Sequence, residues 1–162
     1  MVVRKIISLM IGSALLLALV CAPAQACFGP KLFVGVGQGV QDQALFALIT
    51  LYVQEKTGVE SSRVDIEAGQ EPGALLAGNK VDLAFAHSDS LDNTVFHIAG
   101  LPQLATGRRP LEELQFTTVL PAISKLNRLL KREDVDLLIE RIEAGDSAMS
   151  AARKFLMERR WI

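Results

Sequence analysis

The sequence predicts an α/β protein: a three-layer single lobe with a mainly parallel, doubly wound sheet, followed by C-terminal helices. Three observations carry that expectation. The short apolar run at residues 32–36 reads as a strand buried on both faces, as in a parallel sheet, and the run at 81–86 as a third strand. A helical stripe lies between them at residues 43–56, and glycine or proline punctuates the junctions. Strand, helix, strand, helix, strand in close succession is the order that winds a parallel sheet.

Each element has its own signal. The first strand, Leu-Phe-Val-Gly-Val at 32–36, is bounded by Pro30 and by Gly35, Gly37 and Gly39. In the helix over 43–56, Leu45, Leu48, Ile49 and Tyr52 fall at i, i+3, i+4 and i+7. Gly58 suits a left-handed C-cap. Residues 63–67 alternate Val64 and Ile66 with charge, which suits a strand near a sheet edge. Pro72 fits the first turn of a short helix over 73–77, with Gly78 and Asn79 as its stop. The strand at 81–86 follows.

Residues 87–109 are rich in Ser, Asp, Asn, Gly and Pro and hold one apolar island, 95–98, that reads as a strand. Residues 114–119, with Phe116, Thr117, Thr118 and Val119, read as a further strand. Beyond Pro121 the pattern is helical. Leu126, Leu129 and Leu130 form one face and Val135, Leu138, Ile139 and Ile142 the next, with Gly145 as a stop. Asp146 or Ser147 caps the last helix, whose face is Ala148, Ala152, Phe155 and Leu156.

The chain has 162 residues, 50% apolar and 22% charged, with a formal net charge of −1. That is one domain's length. The composition excludes disordered and collagen-like chains, and the near-neutral charge argues against nucleic acid as a partner. Two cysteines build neither a disulfide framework nor a four-cysteine zinc site.

The first 26 residues read as a secretory signal peptide. Arg4 and Lys5 precede an apolar core, and Ala24-Gln25-Ala26 forms the cleavage box. The apolar core is short for a membrane anchor, the competing reading. Cleavage leaves residues 27–162 as one exported, periplasmic domain of net charge −3. Its first residue is Cys27, the candidate for lipidation should the chain be a lipoprotein, although Ala24-Gln25-Ala26 departs from the usual Leu-Ala-Gly. The charge is uneven: residues 27–107 carry 4 bases and 9 acids, and residues 108–162 carry 11 bases and 9 acids. Helix-face pairs such as Arg132 with Asp136 account for much of this. The acidic half also favours a cationic ligand.

The passages Val34-Gly35-Val36-Gly37, Val64-Asp65-Ile66 and Gly73-Ala74-Leu75-Leu76-Ala77-Gly78-Asn79-Lys80-Val81-Asp82-Leu83-Ala84 resemble the first lobe of type II periplasmic substrate-binding proteins. The tail, through Leu126, Leu129, Asp134, Val135, Leu138, Gly145-Asp146, Ala151-Ala152-Arg153-Lys154-Phe155-Leu156 and Trp161-Ile162, is similar to the closing helices of the glycine betaine/choline subclass of those ABC-transporter receptors. The resemblance implies a non-enzymatic solute receptor for a quaternary amine or another zwitterion or cation, working with a membrane permease or a like chain. Family members carry a second α/β lobe ahead of the closing helices, and here residues 87–119 are too few for one. The family's aromatic cage has Tyr52, Trp161 and seven Phe to draw on. The other reading is an envelope accessory module that uses the lobe for protein contacts without a solute.

Ligands of open α/β sheets sit outside the carboxyl ends of the strands. The candidates there are Gly37, Gln38, Gly39 and Gln41 after the first strand, and His87, Ser88, Asp89 and Ser90 after the third. The glycines serve either a tight strand-to-helix turn or backbone approach to a ligand. A dinucleotide fingerprint fails, because Val40 or Asp42 stands where the third glycine is needed. His87, Asp89, Ser90 and His97 have no nucleophile–base motif and no closely spaced ligand set, so no catalysis, metal or cofactor is expected.

Overall fold

The computed structural model describes residues 29–87 and 91–162. The signal-peptide reading, Cys27, and the candidates Ser88, Asp89 and Ser90 lie outside the described residues. The elements in order are β1 (Lys31–Val36), α1 (Val40–Thr57), β2 (Glu60–Asp65), α2 (Pro72–Ala77), β3 (Leu83–Ala86), β4 (Thr94–Phe96), β5 (Gln103–Thr106) and α3 (Arg109–Glu112). A 3-10 turn at Leu114–Phe116 follows, then α4 (Val119–Leu129), α5 (Arg132–Glu143) and α6 (Ala148–Glu158).

The strands form one mixed sheet in the order β2-β1-β3-β5-β4. β1 is parallel to both β2 and β3, with Lys31 opposite Glu60 and Val34 opposite Leu83. β5 runs antiparallel to β3, and β4 antiparallel to β5. The expected parallel pairing therefore holds for the first three strands only. β2 is the edge strand that its alternating pattern predicted, although it begins at Glu60 because pairing with β1 runs the length of both strands.

Strand alternation divides the core. Leu32, Val34 and Val36 of β1, Leu83 and Phe85 of β3, and Leu104 of β5 enter the main cluster with α1 and the last three helices. Ala84 and Ala105 enter a smaller cluster with Leu76 of α2 and Val81. α1 was expected to be amphipathic, yet Ala44, Ala47, Thr50, Leu51 and Val53 are buried along with Leu45, Leu48, Ile49 and Tyr52. One side meets the sheet, and α4, α5 and α6 pack over the others. A helix apolar on most sides is what such a central position needs.

The expected strand over 114–119 is corrected to a 3-10 turn running into α4. Phe116 and Val119 are buried while Thr117 and Thr118 are exposed, which is spacing by three rather than by two. β5, a short Gln-Leu-Ala-Thr segment, carries little signal of its own and is a strand because β3 and β4 bond it on both sides. Its polar ends are buried, and Thr94 Oγ1 donates to Gln103 Oε1 at 3.0 Å.

The caps follow sequence closely. Gly58 takes φ 73° after α1, and Asn79, rather than Gly78, takes the left-handed conformation after α2. Ser147 caps α6 by accepting from the Ser150 N–H at 3.3 Å. Asp134 closes α5 by accepting from the Lys131 N–H at 3.0 Å, and it also pairs with Arg159 beyond α6.

An ion pair between a buried acid and a half-buried arginine joins the sheet to α3. Asp82 is 4% exposed, accepts from the Phe33 N–H at 2.8 Å and takes both bonds of Arg109 Nη1. The Arg109 guanidinium also stacks over Phe116, 5.2 Å from the ring centroid. Burial raises the Asp82 carboxyl above its ordinary value, with the Phe33 N–H and Arg109 opposing that rise.

Candidate functional site

The parallel half of the sheet ends in a cleft of about 430 Å³, lined by residues of the segments that follow β1, β2 and β3. Gly37 and Asp42 come from the β1–α1 passage, Gly69, Gln70 and Glu71 from the β2–α2 loop, and Phe85 and His87 from the end of β3. A parallel arrangement brings these loops to one edge, because β1, β2 and β3 point the same way.

Asp42 stands at the centre of this arrangement. It occupies the first turn of α1 and is 1% exposed. Its Oδ2 lies 3.1 Å from His87 Nε2, and its Oδ1 is buried without a hydrogen-bond partner among the described residues. A carboxylate in the first turn is favoured by the helix dipole, but one buried oxygen with no donor is a cost.

The two loop glycines are explained by this carboxylate. A Cβ on Gly39 would lie 2.8 Å from Asp42 Oδ2, and one on Gly37 would lie 3.1 Å from the same oxygen. Gly39 has ordinary extended backbone (φ −66°), so close approach, not backbone conformation, calls for glycine there. Arg63 Nη2 donates to the Gly37 carbonyl at 3.3 Å, and Gln43 Nε2 donates to the Gln38 carbonyl at 3.2 Å. Together these bonds hold the loop against β2 and the first turn of α1.

Of the sequence candidates, Gly37 and His87 line the cleft, and Gly39 packs on Asp42. Gln38 is exposed and Gln41 half-buried, and neither lines it. Asp42 is the residue that the candidate set lacked. Its signal was present: Asp42, Leu45 and Ile49 share one helical stripe at i, i+3 and i+7, so a carboxylate extends an apolar face.

The lining suits a cation more than an anion. Among its described lining residues, Asp42 and Glu71 are the carboxylates and His87 is the basic side chain. Phe85 is the one aromatic side chain among the described lining residues. Tyr52 is buried in the main core and Trp161 packs edge-on against Phe155 at 5.6 Å. Among the described residues no group of three or more His, Cys, Asp or Glu is placed to hold a metal ion, and no helix is long and apolar enough to cross a membrane. In comparisons with protein-family models, curated proteins and solved structures, the chain matches none of them.

Proposed function

We propose that this chain is an exported, non-enzymatic binding lobe of the cell envelope, taking a small cationic or zwitterionic solute at the cleft around Asp42. In this reading the domain is a three-layer single lobe, kin to one lobe of type II substrate-binding proteins, and residues 1–26 are removed on export. One observation carries the binding role: a buried carboxylate lines a cleft at the carboxyl ends of parallel strands. Among its described lining residues the Asp42–His87 pair has no Ser, Thr, Cys or Lys nucleophile beside it, which supports binding over catalysis. A single lobe encloses a solute on one side only, so a like chain or a membrane permease is the proposed second wall.

Thermal-shift screening with small amines, amino acids and betaines, followed by amide NMR mapping, tests this role. Saturable shifts at Gly37, Phe85, Ala86 and His87 are expected. A panel that moves none of these amides would sink it. The accessory-module reading is favoured by a different feature, the 87% exposure of Leu114 with Leu111 exposed close by in sequence. Loss of an envelope partner on Leu111→Ser/Leu114→Ser, with no solute effect at the cleft, would favour that alternative.

A further inference from the structure

We infer that the cleft selects cations that donate hydrogen, namely a primary ammonium, an amidinium or a guanidinium, and discriminates against quaternary ammonium. This rests on the proposed reading of the cleft as a solute site and names the chemistry of its ligand.

The argument starts from the unmet demand of Asp42. An ionised carboxylate accepts through both oxygens, yet among the described residues only Oδ2 is engaged, by the imidazole of His87. Burying an acceptor without a donor is unfavourable, so a ligand that supplies N–H groups recovers what folding leaves unmet. A quaternary ammonium has no N–H and leaves Oδ1 as it is. It depends instead on aromatic faces, and Phe85, itself buried in the core, is the one aromatic residue among the described lining residues.

His87 fixes the geometry of exchange. Its side chain is 64% exposed and is the one side chain within hydrogen-bond distance of this carboxylate among the described residues. Such a half-solvated contact is weak. Rotating the imidazole outward uncovers the carboxylate to an ammonium or guanidinium head. Glycine at 37 and 39 keeps the wall beside the carboxylate thin, and Glu71 adds a second negative charge at the rim. The volume of about 430 Å³ suits a ligand of amino-acid or short diamine size.

The test is calorimetric titration of the purified protein with two matched pairs: putrescine against its fully N-methylated counterpart, and ethylammonium against tetramethylammonium. The N–H donor of each pair is expected to bind about tenfold tighter or better, because a hydrogen-bonding site rejects the analogue that lacks the donor. Asp42→Asn should lose about tenfold in affinity for putrescine, and His87→Ala, which removes the competing imidazole, should gain severalfold. His87→Ala alters an exposed side chain and so keeps the test available should Asp42→Asn fold poorly. Equal or tighter binding of the methylated partners, or affinity indifferent to both substitutions, overturns the inference while leaving a solute site in place. Binding by neither series, with the His87 ring resonances unmoved, overturns both this inference and the solute-binding reading beneath it.

Discussion

Arg109 Nη1 lies 3.0 Å from both carboxylate oxygens of Asp82, linking the loop before β3 to the start of α3 across 27 positions of sequence. The same carboxylate accepts the Phe33 N–H, so one buried acid ties β1 and α3 together at the end of the sheet away from the Asp42 cleft. Asp82→Ala is expected to destabilise the protein by about 1–3 kcal/mol, because the Phe33 N–H loses its acceptor while the half-buried Arg109 can rehydrate. Asp82→Asn keeps an acceptor and should be milder. Urea unfolding of the three proteins decides the order.

The pH dependence at Asp82 has a definite sign. Its native carboxyl is raised by burial above the ordinary value of 3.8, so the native state holds that proton more firmly than the unfolded chain. The associated stabilisation is fully present below about 3.8 and is lost as pH rises through the native value. The stability of wild type relative to Asp82→Asn should therefore improve as pH is lowered from 7 towards 4. A difference that stays flat, or moves the other way, would contradict a raised native value.

Gly39→Ala should destabilise by about 1–3 kcal/mol, because its methyl would press on the Asp42 carboxylate and the carboxylate is enclosed. Pairing it with Asp42→Ala should abolish most of that penalty, since the colliding group is gone. A double-mutant cycle measures the coupling. Additive effects would place the strain elsewhere.

Leu83 is fully buried between the sheet and the main core. Leu83→Ala should lower stability by about 2–5 kcal/mol through lost burial and a residual cavity. An unchanged melting temperature would be incompatible with this packing.

For the proposed export, protein recovered from the native envelope should have an intact mass beginning at Cys27. A mass that retains Met1 rules out cleavage after Ala26, and an added diacylglyceryl mass marks Cys27 as the lipid anchor.

By itself the sequence determined the local elements wherever short-range physics dominates. Hydrophobic spacing marked β1, α1, β3 and the three closing helices, and Gly58, Pro72, Gly145 and Ser147 marked ends that the chain respects. It also located the glycine loop and His87 at the carboxyl ends of β1 and β3, in the parallel half of a mixed sheet. Tertiary structure decided the rest. β5 is a strand because two neighbours satisfy its backbone, and four residues without marked periodicity cannot announce that in advance. Residues 114–119 have the composition of a strand, but Phe116 and Val119 find their core on one helical face. The sequence places Asp42 on the apolar stripe of Leu45 and Ile49, but its enclosure is a product of the fold. Only the packing of Gly37, Gly39 and His87, as many as 45 residues distant in sequence, encloses its carboxylate and leaves one oxygen without a donor among the described residues. Burial of a polar atom is a property of the whole fold, because it depends on which distant groups close over it.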